Sequence, residues 1–131
     1  MSSFTDYTEN LALTYLFNTG AVTRPTAWFV GLFTAAPSDT GGGTEVTGSG
    51  YARVSAGTIS GSGTATTFTN AAAIEFAAAS GGNWGTIGWA GIFTASTGGT
   101  LLAWAPLTTS KAINDGDIFR IPANSLTITL S

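Results

Sequence analysis

A short apolar motif that contains glycine occurs twice in this chain and constrains its fold more than any other feature. Residues 30–35 read VGLFTA, and residues 90–95 read AGIFTA. Each copy is rich in aliphatic and aromatic residues and is soon followed by glycines, which is typical of a buried strand running into a turn. A glycine inside a strand marks a bulge, a bend or a close approach. We therefore predict two equivalent core strands, in which each glycine leaves a gap that a neighbouring Trp or Phe fills.

The rest of the chain alternates between short strand-like segments and turn residues, with turns every eight to twelve residues or so. This pattern predicts an all-β fold, an antiparallel β-sandwich or jelly-roll-like domain of about eight strands. Residues 114–117 give a strong hairpin signal between predicted strands at 110–113 and 118–121. Residues 126–130 alternate with period two and predict a closing strand. The residues expected to be buried are Val30, Leu32, Ile92, Phe93, Leu126 and Ile128.

One short N-terminal α-helix is predicted at about residues 4–18. Asp6 is a candidate N-cap with Glu9 three residues later, and Ser3 is an alternative cap. Gly20 suits the left-handed position that ends many helices. Because the helix is short and weakly amphipathic, we expect packing against the sheets or against another subunit to hold it.

Composition indicates one domain and a surface made for contact with protein. We predict a single domain over residues 1–131, with the β-sandwich at about 26–131. Charged residues make up 8% of the chain, against roughly 25% in average proteins. We therefore expect a homo-oligomer, with a trimer as first choice, or a monomer that is stable mainly on a lattice. The net charge of −3 without a basic cluster argues against nucleic acid as a partner.

Several kinds of chemistry and location are disfavoured by what the sequence lacks. The chain has no cysteine and no histidine, so thiolate nucleophiles, zinc–thiolate sites and the commonest general base are excluded. We predict no catalytic residue, no cofactor and no metal. No secretory signal or membrane span is recognisable, and we expect a product kept in a cytosol until assembly or release.

Charged residues offer three candidate polar sites. Glu45 and Arg53 flank Tyr51, either as an interaction site or as a strand-end ion pair, and we favour the ion pair. Asp115 and Asp117 faintly resemble a calcium loop, but a hairpin turn explains them better because further oxygen ligands are missing. Glu75 and Asp39 could be posed as the acid pair of a glycosidase, although nothing in the sequence places them together.

The tryptophans raise the question of sugar binding, because an exposed aromatic face stacks on sugar rings. Each Trp lies in an apolar run, so we favour the core or a subunit interface for Trp28, Trp89 and Trp104. Trp84 follows a Gly-Gly-Asn turn and is the best candidate for exposure. The predicted interaction surface therefore consists of Glu45, Tyr51, Arg53 and Trp84.

The order of short motifs resembles a family of small bacteriophage proteins usually called tail-fibre proteins. The resemblance covers nearly the whole chain. It implies a non-enzymatic structural protein of the virion. The motifs that carry it are the Leu/Ala-rich N-terminal segment and residues 30–34, 43–46, 50–53, 84–87, 91–93, 107–108, 111, 116–117, 122–123 and 125–127.

Three functions follow from this resemblance and from the residues. The chain lacks the length, heptads or β-repeats of a fibre shaft, so a tail-fibre-like module and a capsid decoration (cement) protein are both open. A carbohydrate- or receptor-binding β module is the third. The expected partners are other phage structural proteins and copies of the chain itself, with a host surface glycan as a further candidate and no membrane.

Overall fold

The computed structural model describes residues 3–61 and 63–129. Within these ranges the chain is mostly β with one helix, which confirms the predicted all-β class. The described residues form more strands than the eight expected, because many strands are only two residues long. The elements are β1 (Ser3–Phe4), α1 (Asp6–Phe17), β2 (Phe29–Ala35), β3 (Thr44–Glu45), β4 (Val54–Ser55), β5 (Ile59–Ser60), β6 (Thr67–Asn70), β7 (Ile74–Glu75), β8 (Gly85–Phe93), β9 (Leu101–Ile113), β10 (Arg120–Ile121) and β11 (Thr127–Thr129).

The strands form three antiparallel sheets in a sandwich-like arrangement. The large sheet has the order β1-β9-β8-β2-β3, and β4 also pairs with β2. A three-stranded sheet has the order β11-β6-β5, and β10 pairs with β7. The main core lies between the large sheet and the smaller ones, because Val30 and Leu32 of β2 share a cluster with Ile74 of β7 and Ile121 of β10.

The two copies of the repeated motif lie in β2 and β8, which pair directly at the centre of the large sheet. Gly31 of β2 lies opposite Gly91 of β8. An alanine Cβ at Gly31 would lie 2.8 Å from Phe93 Cε2, and one at Gly91 would lie 3.0 Å from Phe33 Cε1. Each glycine thus leaves room for the phenylalanine of the other copy, as the repeat predicts. The two rings stack with centroids 5.9 Å apart.

Both faces of the large sheet are packed, because side chains alternate along each strand. Val30 and Leu32 face the main core. Phe33 and Phe93 lie in a second, smaller cluster with Leu101, against which two half-buried tryptophans pack. Four of the six residues predicted to be buried are buried. The expectation was too strong for Leu126 and Ile128, which are half-buried because open space lies beside β11.

The turn at residues 114–117 forms, but the hairpin predicted around it does not. The Asp117 N–H donates to the Asn114 carbonyl at 2.9 Å, and Gly116 has a left-handed φ of 91°. The strands on either side have other partners, since β9 pairs with β8 and β10 pairs with β7. Local turn chemistry therefore marks the reversal, and long-range packing chooses the partners. The last residue of the predicted closing strand, Leu130, lies outside the described residues.

Helix α1 begins and ends differently from the prediction. Its N-cap is Thr5, and neither Asp6 nor Ser3 takes that position. The Thr5 hydroxyl makes no cap and instead donates to the Leu101 carbonyl at 2.7 Å. At the other end Asn18 is extended, with φ −98°, and Gly20 is not in the left-handed region.

Candidate interaction surfaces

Three of the predicted site residues form one connected network, which we call the polar clamp: Glu45, Tyr51 and Arg53. Arg53 binds both carboxylate oxygens of Glu45, with Nε 2.8 Å from Oε2 and Nη2 2.8 Å from Oε1. The Tyr51 hydroxyl donates to Glu45 Oε2 at 2.7 Å and accepts the Leu32 N–H at 2.9 Å. This two-point geometry is the strongest form of an arginine–carboxylate pair.

The clamp also ties a distant loop to the large sheet. Arg53 Nη1 donates to the Ala95 carbonyl at 3.0 Å and to the Gly98 carbonyl at 2.7 Å. Its guanidinium carbon lies 3.4 Å above the centroid of the Phe93 ring. Arg53 therefore fixes the turn after β8 and covers the aromatic cluster, which is a structural role.

Gly31 gives the clamp its place on the sheet. A Cβ at Gly31 would lie 2.8 Å from Glu45 Oε2, the oxygen that binds both Tyr51 and Arg53. The glycine of the repeated motif thus makes room for the carboxylate as well as for the Phe93 ring. Sequence reasoning missed this link, although an unexplained glycine in a core strand was its signal.

The electrostatics of the clamp favour the neutral phenol. Burial, and then the hydrogen bond that Tyr51 donates to Glu45, raise the pKa of the Tyr51 hydroxyl above its ordinary range. The side chains of Arg53 and Glu45 are only 11% and 22% exposed. The ion pair favoured from the sequence is therefore present at the end of β3, and it is better shielded than an exposed surface pair.

The prediction that Trp84 is exposed is wrong. Trp84 is 6% exposed and packs edge-on against Tyr51, with ring centroids 5.3 Å apart. Its indole N–H donates to the Ser49 carbonyl at 2.9 Å. The Gly-Gly-Asn turn before Trp84 directs the ring inward because the main core offers it apolar neighbours and a carbonyl. A stacking platform for sugars at Trp84 is therefore excluded.

The other three tryptophans are half-buried. Trp28 packs against the main core, and Trp89 and Trp104 pack against the second cluster. The Trp104 indole nitrogen is buried and has no hydrogen-bond partner among the described residues. These positions agree with the core-or-interface interpretation.

Asp117 and Glu75 have partners for their carboxylates, and Asp39 and Asp115 are bound through backbone groups. Asp117 accepts the Asn114 N–H at 2.9 Å and thereby closes its own turn. Glu75 lies 3.7 Å from Arg120 in an exposed ion pair, and the backbone carbonyl of Asp39 accepts the Asp6 N–H. Across residues 3–61 and 63–129, no group of three or more acidic side chains is arranged to hold a metal ion.

The surface that sequence reasoning described least is helix α1. None of its residues is buried. Leu13, Leu16 and Phe17 are 59%, 66% and 79% exposed. With Glu9 they follow the spacing i, i+4, i+7, i+8 of one helix face, and we call these four residues the outer stripe.

An apolar groove lies beside the first turn of α1. It has a volume of about 700 Å³ and runs between the large sheet and the three-stranded sheet. Arg24 is the one charged residue in its lining. Its lining includes Arg24, Trp28, Phe68, Leu102 and Ile128.

Comparison with known families identifies this β-rich chain. The family described as Podophage GP4 fiber I protein gp80 matches residues 3–129. The chain belongs to this family. It is therefore a phage fibre protein and a component of the virion, in agreement with the resemblance seen in the sequence. No curated protein matches the chain at a significant level. Helix α1, the one helix that the described residues form, is not long and apolar enough to cross a membrane.

Proposed function

We propose that this protein is a non-enzymatic, multi-copy module of a phage fibre, exposed on the outer surface of the particle. It assembles with copies of itself, with a trimer as the expected state, and with other structural proteins of the phage. It is made in the host cytoplasm and joins the particle there. The family match over residues 3–129 is the observation that carries the proposal.

The distribution of polar groups supports a structural role. Glu45 is the carboxylate of the polar clamp, and both of its oxygens are bound by Arg53 and Tyr51. A general acid or base needs a proton that it can exchange with a substrate, and this carboxylate is already engaged. The clamp therefore serves the stability of the β fold, which a particle exposed to the environment requires.

The sparse charge supports assembly from many copies. Burying an unpaired charge in an interface costs several kcal/mol, on the order of 3–5, whereas burying Thr or Ala costs little. With 8% charged residues and a net charge of −3, the chain offers much surface that is cheap to desolvate and no basic footprint for nucleic acid.

Mass spectrometry of purified virions, combined with gold-labelled antibody in electron microscopy, tests this function. We expect the protein in mature particles in multiple copies, with label on the tail. Absence from the mature particle contradicts the proposal. Label on the head assigns the protein to capsid decoration instead of the fibre.

A further inference from the structure

Among the described residues, the hydrogen bonds that join helix α1 and its N-cap to the rest of the protein all come from residues 5–8. The Thr5 N–H and hydroxyl donate to carbonyls of β9, and the Thr8 hydroxyl donates to the Leu102 carbonyl at 2.7 Å. The later turns, which carry Leu13 and Phe17, leave these side chains largely in solvent. A short helix with no buried side chain depends on packing that its own chain does not supply.

The outer stripe is large enough to form the centre of an interface. An aromatic side chain carries roughly 150–250 Å² and a leucine somewhat less, so the exposed parts of Leu13, Leu16 and Phe17 amount to about 300 Å². A standard interface buries about 800 Å² per partner, of which somewhat more than half is apolar. The stripe alone thus supplies most of the apolar area that one side of a stable contact needs.

The apolar groove is the matching surface on the same chain. Its wall includes Ile128 and Phe68, which is 43% exposed, and Leu102 lies in the large sheet below. Thr8 lies at its edge, but no residue of the outer stripe lines it. The helix therefore passes the groove of its own chain without filling it.

Charge also matches between the two surfaces. Asp6 and Glu9 are the charged residues of α1, and its last turn has no basic residue. Arg24 is the charged residue of the groove, and the ion pairs found among the described residues involve other side chains. An acidic helix and a basic groove attract each other and fix the orientation of the contact.

We propose that the outer stripe of one copy lies in the apolar groove of a second copy, with Glu9 facing Arg24. This inference rests on the proposed assembly from many copies and names the surfaces that form it. A helix that lays apolar side chains into an apolar groove is a common mode of recognition. Because stripe and groove are different surfaces, repeated contacts join copies head to tail and close into a ring when the rotation allows.

Cysteine pairing tests the contact directly, because the chain has no cysteine of its own. Leu16→Cys protein labelled with heavy nitrogen is mixed with unlabelled Thr66→Cys protein, whose cysteine stands at the groove. After mild oxidation we expect mixed disulfide dimers in the intact mass spectrum. The matched control is Thr97→Cys, an exposed threonine outside the groove lining, and with it we expect no mixed dimers above background.

Charge reversal gives an independent second measurement. Glu9→Arg or Arg24→Glu alone should weaken self-association about three- to tenfold in analytical ultracentrifugation, because each places like charges together. The double variant should recover the original affinity, since every contact then has the reversed pair. Glu9 and Arg24 are both exposed, and circular dichroism checks that each variant is folded.

The outcomes separate this contact from the proposed function. Leu16→Cys homodimers in place of mixed dimers indicate helix–helix pairing and overturn the proposal. A chain that stays monomeric at all concentrations also overturns it, as does a double variant that is no better than the single ones. If the protein is found in virions but mixed disulfides do not form, only the contact fails. If it is absent from virions, the fibre function fails regardless of the disulfide result.

Discussion

The polar clamp and helix α1 both contain charged residues. They differ in whether these residues bind other groups of the same chain. In the clamp, Glu45 and Arg53 bind each other, and Arg53 also donates to the Ala95 carbonyl. On α1, Glu9 and Asp6 lie in a helix without a buried residue. The clamp is therefore complete within one chain, whereas α1 leaves apolar side chains in solvent, and the proposed contact would cover them with a second copy. Substitutions in the clamp should change folding stability, and substitutions on the outer stripe should change association.

The largest effect is expected at Gly31. Gly31→Ala places a methyl group 2.8 Å from Glu45 Oε2 and from Phe93 Cε2, so the clamp and the aromatic stack must both shift. We expect a loss of about 2–4 kcal/mol in the free energy of unfolding, measured by urea denaturation. Gly88→Ala is the matched control in the same sheet, because a Cβ at Gly88 meets nothing within 4 Å. Equal losses at both positions would refute the close-packing explanation.

Arg53 comes next. Arg53→Met keeps much of the side-chain length but leaves the Glu45 carboxylate, which is 22% exposed, without its charged partner. We expect a loss of about 2–3 kcal/mol in the free energy of unfolding. Arg53→Lys should lose about half as much, because it keeps the charge but not the two-point geometry. An Arg53→Met variant as stable as the wild type would show that the clamp contributes nothing to folding.

Tyr51 should give a smaller effect that depends on pH. The folded pKa is raised, so above about pH 10, where the unfolded chain loses the phenolic proton, folding retains a proton that unfolding releases. The contribution of Tyr51 is therefore complete below about pH 10 and is lost as the pH rises towards the folded pKa. Wild-type stability should fall more steeply than that of Tyr51→Phe between about pH 10 and 12. Parallel curves in urea titrations would contradict this assignment.

At neutral pH, the same Tyr51→Phe change removes the bond to Glu45 and leaves the Leu32 N–H without its acceptor. We expect a loss of about 1–2 kcal/mol in the free energy of unfolding.

The smallest effect on folding is expected on the outer stripe. Leu16→Ser alters a side chain that is 66% exposed, so the free energy of unfolding of the monomer should change by less than about 0.5 kcal/mol. Measured below the association range, its urea midpoint should equal that of the wild type. A loss comparable to that of Gly31→Ala would show that α1 packs within its own chain, and the contrast between the two regions would disappear.

Local sequence pattern was sufficient for the features that depend on near neighbours. The repeated motif predicted two central strands whose glycines accommodate aromatic rings. The contacts at Gly31 and Gly91 confirm this prediction. The turn at residues 114–117 also formed where its residues indicated. These features follow from backbone geometry and side-chain alternation, which act over a few residues.

Long-range contacts decided the rest. Trp84 follows a turn, yet it is buried because Tyr51 and the Ser49 carbonyl receive it. Thr5 takes the N-cap position while its hydroxyl donates to the Leu101 carbonyl of β9, and no local pattern records that distant carbonyl.

What the sequence by itself determined is therefore the fold class, the central glycine-containing strands and the phage fibre resemblance that the family match confirms. Only the tertiary structure decided that Glu45, Tyr51 and Arg53 close on one another and that α1 remains exposed. The physical reason is that strand and turn preferences are local free energies. Burial and charge pairing depend on which distant segments the folded chain brings within a few ångströms of each other.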